Sequence, residues 1–159
     1  KNGVMFRDIT TLFLDGQGIK DVVKEFRERY KDVCVDKVVG IEARGFIIGA
    51  ILAHELGVGF VPIRKKGKLP AHKTSIEYDL EYGKDTIEIH TDAINKGDKI
   101  ILTDDLIATG GTASAACSLI EQLGGEIIEC AFVIDLPELG GKEKLYPRKV
   151  FSLVEFEGD

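Results

Sequence analysis

The chain has 159 residues, 44% hydrophobic and 30% charged, an ordinary globular composition with enough apolar mass for a single domain with a real core, residues 1–159. A net charge of −6 and a pI near 5.2 argue against a partner that is nucleic acid or an anionic membrane, though not against a local basic patch. No apolar run approaches the length of a membrane span and no signal-like segment opens the chain. Cys34, Cys117 and Cys130 are scattered and form no CxxC pair, which fits buried thiols in a reducing, cytoplasmic setting.

In chain order, residues 3–14 form an apolar lead-in with a charged pair, Arg7-Asp8, in its middle, and Gly16 to Gly18 break it. Residues 19–30 space Ile19, Val22, Val23 and Phe26 at helical intervals with charge on the other face. Residues 37–41 read as a short buried strand that runs into Glu42-Ala-Arg-Gly45, then a helix over 46–56 capped by Gly57, then a strand over 58–63. That β-α-β order implies a parallel sheet with right-handed crossovers.

Arg64-Lys-Lys-Gly-Lys-Leu-Pro70 is the densest basic run. Residues 71–91 are polar, with alternating stretches at 74–80 and 86–90 around Tyr82-Gly-Lys-Asp85, which predicts a two-stranded flap outside the core. A β-branched strand follows at 99–103, then Asp104-Asp105, a Gly-rich turn, and a small-residue helix over 113–123. Further strands are predicted at 126–134, after the Gly124-Gly125 cap, and at 150–156.

The stretch from Lys99 to Thr112, KIILTDDLIATGGT, carries the most chemistry. Successive backbone N–H groups in Ala108, Thr109, Gly110, Gly111 and Thr112 can wrap a phosphate, with the helix N-terminus adding its positive dipole end. Thr109 and Thr112 add hydroxyl donors. Asp104 and Asp105 stand at the carboxyl end of a strand, where open α/β sheets bind ligands. Carboxylates there suit ribose hydroxyls or a hydrated Mg²⁺ rather than phosphate itself.

Glu42, Ala43 and Arg44 close a second strand end before a helix, offering N–H groups and a guanidinium whose fork suits pyrophosphate oxygens. Arg64, Lys65, Lys66 and Lys68 add positive charge after the third strand. Gly67 to Thr74 has the outer spacing of a P-loop, but His72 replaces the second Gly and Pro70 removes an N–H donor, so it is no phosphate cradle. His54 and His90 lack partners at metal-ligand spacing and read as structural. Glu81, with Tyr82, sits on the flap, where a lid could bring a carboxylate over a water-sensitive ribosyl cation.

The strand, Asp-Asp and Ala-Thr-Gly-Gly-Thr combination resembles the phosphoribosyl-pyrophosphate (PRPP) motif of type I phosphoribosyltransferases. With Gly3-Val-Met-Phe-Arg-Asp-Ile9, Glu42-Ala-Arg-Gly45, Arg64 to Pro70 and Leu80-Glu-Tyr-Gly83 in this order, the chain from Gly3 to Phe156 resembles the adenine phosphoribosyltransferase family. Family members usually carry a helical segment before the Phe-Arg-Asp stretch; this sequence opens at Lys1 without one, which bears on the hood and the dimer contacts.

The resemblance implies a Rossmann-like, mostly parallel sheet flanked by helices, with a hood over about residues 1–15 and a flap over about 71–91. It implies the reaction adenine + PRPP ⇌ AMP + pyrophosphate, Mg²⁺ bound through PRPP rather than by a protein metal site, and a cytoplasmic homodimer. It assigns the 5′-phosphate to Ala108–Thr112, the ribose hydroxyls to Asp104 and Asp105, and pyrophosphate to Glu42, Ala43, Arg44, Arg64, Lys65 and Lys68. It assigns adenine to Met5, Phe6, Arg7 and Leu106, and proton transfer to Glu81. A non-proline cis peptide is frequent in the family's first loop. The residues alone lead as far as a sugar-phosphate site on a parallel sheet; a 6-oxopurine phosphoribosyltransferase and a non-catalytic PRPP-binding regulator are the alternatives.

Overall fold

A computed structural model describes residues 9–80 and 83–157. Its centre is a seven-stranded sheet in the order β3-β4-β2-β1-β5-β6-β7. The strands are β1 (Lys37–Ile41), β2 (Gly59–Lys65), β3 (Lys73–Asp79), β4 (Lys84–His90), β5 (Lys99–Ile107), β6 (Glu126–Asp135) and β7 (Val150–Glu155). Pairings β2-β1, β1-β5, β5-β6 and β6-β7 are parallel, while β4 joins β2 and β3 in antiparallel fashion. The helices are α1 (Thr10–Leu14), α2 (Gly16–Tyr30), α3 (Arg44–Leu56), α4 (Gly111–Gln122) and α5 (Gly141–Leu145). This is the mostly parallel α/β sheet that the β-α-β order implies. No helix among the described residues is long and apolar enough to cross a membrane.

One apolar cluster lies between the sheet and α4, built on Ile63, Ile100, Leu102, Phe132, Leu119 and Ile120. The other lies under α2 and α3, built on Phe26, Tyr30, Ile48, Leu52, Ile101 and Val133. Near-continuous apolar runs in β1, β5 and β6 follow from cover on both faces of a parallel sheet.

Several local expectations are corrected. Gly16 to Gly18 do not break the chain but form the first turn of α2, because the Asp15 side chain caps it by accepting from Gln17 N at 2.9 Å. Helix α3 begins at Arg44, two residues before the expected start. Strand β5 does not stop at Thr103 but runs through both aspartates to Ile107, held by β6 in register, with Asp104 opposite Phe132 and Leu106 opposite Ile134. The β3–β4 hairpin exists, but β4 is no part of a detached flap: Ile87 and Ile89 are buried in the first cluster, and Arg64↔Glu88 and Lys65↔Ile87 pair it to β2. Cys34 is exposed, whereas Cys117 and Cys130 are buried with their sulfurs 3.6 Å apart. The short helix α5 and the 3₁₀ turn Pro137–Leu139 have no counterpart in the sequence reading.

At the N-terminal end of the sheet, Glu129 anchors α2. Its carboxylate accepts two bonds from Arg29 at 2.6 and 2.7 Å and one from the buried Tyr30 hydroxyl at 2.6 Å. Burial works to raise the Glu129 pKa, but the bonds from Arg29 and Tyr30 outweigh it and hold the carboxyl below its usual range. A depressed folded-state pKa stabilises above the unfolded value, about 4.3, and that contribution is lost as pH falls through the folded value. Tyr30→Phe should therefore cost roughly 1.5–3 kcal/mol near neutral pH, with the gap to the parent shrinking on acidification. Urea unfolding at neutral pH and at about pH 4 checks this; a gap that holds constant would remove Tyr30 from the network.

Candidate active site

The C-terminal ends of β1, β2 and β5 open on a cleft of about 350 Å³. Its lining includes Glu42, Arg44, Lys65, Tyr78, Asp85, Asp104, Asp105, Leu106 and the whole turn from Ala108 to Thr112. A larger cavity of about 870 Å³ lies between α1, α2 and β6–β7. Among the described residues its lining has no Lys or Arg, and Asp21 and Glu25 are its charged groups.

The turn after β5 presents backbone N–H groups to the cleft, an arrangement suited to an anion. Gly110 takes φ +74° as N-cap of α4, and Ser114 N returns to its carbonyl at 2.8 Å. The N–H groups of Gly111, Thr112 and Ala113, all in the cleft wall, fall in the first turn, where no intrahelical acceptor exists. Thr112 Oγ1 donates to the Tyr78 hydroxyl at 3.2 Å, so β3 arches over the same turn. Burial pushes the Tyr78 phenol up, keeping it neutral and able to donate in turn.

The two aspartates receive different treatment although they are neighbours. Asp105 is buried and forms an ion pair with the Arg44 guanidinium. Asp104 accepts Asp105 N at 2.9 Å. Burial, with the Asp105 charge beside it, pushes the Asp104 carboxyl well up from its ordinary value. Gly45 brings the start of α3 against this strand: a Cβ there would stand 2.9 Å from Asp104 Oδ1 and from Thr103 O.

Glu42 precedes a non-proline cis peptide to Ala43. Its carboxylate accepts from Arg64 at 3.0 and 3.2 Å and from Lys65 N at 3.0 Å, and the Arg64 bonds hold it below the usual carboxylate range. The structure therefore places Arg64 and Lys68 differently from Lys65. Lys65 lines the cleft, where its ammonium is 3.3 Å from Asp85. Arg64 is bound to Glu42 and to Lys68 O at 3.2 Å, and neither Arg64 nor Lys68 lines the cleft; nor does Ala43, the exposed N-cap of α3. The expected site residues Met5, Phe6, Arg7, Glu81 and Tyr82 lie outside the described residues.

Tyr78, Leu80 and Asp85 reach the cleft without having been singled out in the sequence. For Tyr78 a signal existed: Thr74, Ile76 and Tyr78 occupy alternate positions of β3, and all three are half-buried on one face. Among the described residues no group of three or more His, Cys, Asp or Glu side chains could hold a metal ion.

A strand carrying paired aspartates near its C-terminal end, a glycine turn that presents N–H groups, and a second loop with Glu42 and Arg44 define a phosphoribosyl-transferring enzyme fold, and the phosphoribosyl transferase domain model matches residues 13–159. An adenine phosphoribosyltransferase of Nitrosospira multiformis is 62% identical over 159 residues, covering 99% of this chain and 91% of that protein. The crystal structure of adenine phosphoribosyltransferase from Thermoanaerobacter pseudethanolicus superposes with a TM-score of 0.95 at 44% identity, over 98% of this chain and 91% of that one. The Saccharomyces cerevisiae enzyme, complexed with an imino-altritol bisphosphate and adenine, gives 0.90 at 42% identity, over 96% and 88%. The chain belongs to the adenine phosphoribosyltransferase family.

Two glycine substitutions separate fold from binding. A Cβ on Gly110 would stand 2.7 Å from Gly141 O, at a φ that side chains resist; Gly110→Ala should destabilise the protein by more than about 1 kcal/mol. A Cβ on Gly111 meets only ordinary contact, 3.4 Å to Asp79 O. Gly111→Ala should leave the melting temperature nearly unchanged while weakening AMP binding. Calorimetry of both variants, thermal and with AMP, checks the split; normal AMP affinity in Gly111→Ala would move the anion site elsewhere.

Proposed function

We propose that the cleft binds PRPP across the β1, β2 and β5 ends and transfers its 5-phosphoribosyl group to adenine, giving AMP and pyrophosphate. The observation that carries this is the β5 turn: paired carboxylates for ribose hydroxyls, then N–H donors of the α4 first turn for a phosphate, all in one cleft. The yeast relative binds adenine and a bisphosphate, groups of the same chemistry as the substrates assigned here.

In this reading the 5′-phosphate rests on Ala108–Thr112. Arg44, Lys65 and the backbone at Glu42 receive pyrophosphate; Ala43 and Lys68 do not line the cleft and stand outside that contact. Arg64 acts through Glu42, fixing the carboxylate that shapes that loop. The bond from ribose C1 to the pyrophosphate oxygen breaks, positive charge develops on the ribosyl ring, and adenine N9 forms the new bond as its proton departs. Asp105, paired with Arg44, stands where negative charge steadies that cation. Asp104, biased toward its neutral form, suits hydrogen bonding to a ribose hydroxyl. Glu81 is the acid/base near adenine N7, taking the proton that leaves the base, and Met5, Phe6 and Arg7 with Leu106 cover the base as a hood. Mg²⁺, carried by the diphosphate of PRPP as part of the substrate, would offset the phosphate charge. The enzyme works as a cytoplasmic homodimer.

The test is an absorbance assay with adenine, PRPP and Mg²⁺, run beside hypoxanthine and guanine; turnover should require adenine, and equal rates with hypoxanthine would overturn the base assignment. Asp105→Asn should lower kcat/KM on the order of 10²-fold. Asp104→Asn should lower it less, because Asn imitates the carboxyl's favoured neutral form. A raised folded-state pKa penalises folding increasingly as pH climbs from the unfolded value toward the folded one, so Asp104→Asn should also raise the melting temperature at neutral pH. A melting temperature below the parent's would refute that account of Asp104.

A further inference from the structure

The β5 turn supplies backbone N–H groups and two hydroxyls, but Ala108 to Thr112 include no cation. A phosphate monoester carries about −1.5 to −2 charges at neutral pH. The cations at the far side of the cleft face carboxylates: Arg44 meets Asp105, and Lys65 meets Asp85 at 3.3 Å. The cation beside the turn comes from α5.

Helix α5 is seated directly on the turn. Gly141, its first residue, is buried, and a Cβ on it would collide with the carbonyl of Ala108, while a Cβ on Gly110 would collide with Gly141 O. Lys142 ties the helix down. Its ammonium lies 2.8 Å from Asp135 Oδ2 and 2.6 Å from Glu155 Oε1. The Asp135 side chain is fully buried at the end of β6, opposite Ile107, and neither of its oxygens receives a well-aligned hydrogen bond among the described residues. That leaves the Lys142 charge as its compensation.

Residues two apart on a helix point in different directions. With Lys142 turned to Asp135, Lys144 turns to the anion loop: its ammonium lies 3.7 Å from where a Cβ on Gly111 would stand. Lys144 is exposed and forms no ion pair with the described residues.

We infer that Lys144 is a substrate-binding residue, whose ammonium meets the 5′-phosphate of PRPP and AMP from the α5 side, and that Lys142 is a positioning residue that keeps α5 against the turn. The inference rests on the reading of Ala108–Thr112 as the 5′-phosphate loop. It adds to that loop the counter-charge its own residues lack.

The experiment is calorimetric titration of the parent, Lys144→Met and Lys144→Arg with AMP and, separately, with adenosine, which has the same base and ribose but no phosphate. The parent should bind AMP far better than adenosine. Lys144→Met should lose about tenfold in AMP affinity, as expected for a charge-assisted hydrogen bond, with adenosine unchanged and Lys144→Arg restoring most of the loss. Unchanged AMP affinity in Lys144→Met, or equal losses for AMP and adenosine, overturns the role of Lys144 while leaving the loop reading intact. No preference of the parent for AMP overturns both. In steady-state assays Lys142→Met should raise KM for PRPP at nearly constant kcat, with Lys142→Arg restoring it; a lowered melting temperature with unchanged KM overturns the positioning role.

Discussion

The ion pair between Arg44 and Asp105 joins the two loops from which the site is built. Arg44 is the first residue of α3, delivered by the turn after β1; Asp105 lies on β5, the next strand in the sheet. Adjacent carboxylates on a central strand are a severe electrostatic demand, because both leave water and repel each other. The structure meets it asymmetrically. Asp105 receives the guanidinium, and Asp104, which accepts a backbone N–H at 2.9 Å, is pushed up by burial and by the Asp105 charge. Two residues that look identical in the sequence are thus set apart by environment alone.

That asymmetry depends on small residues as much as on charge. Helix α3 approaches β5 closely enough for Arg44 to reach Asp105 because Gly45 has no side chain to place against Asp104 and Thr103. The same device recurs where Gly110 and Gly141 meet backbone to backbone. Where backbone must meet backbone around the site, side chains are absent, and the cations come from neighbouring elements. The backbone gives shape and direction, while Arg44 and Lys65 each bring a cation to the cleft beside a carboxylate.

Much of this was legible from residue patterns. Buried parallel strands announce themselves as apolar runs, and Gly57 and Gly124 mark element ends as left-handed glycines do. The glycine turn before α4 was readable because its backbone geometry is carried by consecutive residues. What escaped were features set by pairing across the sheet. Asp-Asp reads as the end of a strand by propensity, yet β6 holds β5 in register through both residues. Residues 86–90 look polar enough for a surface ribbon, yet Ile87 and Ile89 face the core once β4 docks on β2. Tyr78 reaches the cleft, and Lys144 comes beside Gly111, only because β3 and α5 return to the same turn, and no spacing in the chain expresses that.

The hairpin shows how topology divides one element into two mechanical parts. Its root is fixed: Ile87 and Ile89 are buried, and the buried Glu88 accepts Gly67 N at 3.0 Å while lying 3.6 Å from the Lys73 ammonium. The basic loop after β2 is thereby tied to the base of the hairpin. Toward the tip, Glu77, Asp79, Leu80, Gly83 and Lys84 are all exposed, and the Glu77–Lys84 pair at 2.7 Å is solvent-screened. Tyr78 is the inward contact between these regions, resting on Thr112. The buried root, not the exposed strand ends, is therefore what holds the hairpin on the sheet. Because Lys65 pairs with Ile87 and its N–H donates to the Glu42 carboxylate, that root also fixes the wall of the cleft that Lys65 lines.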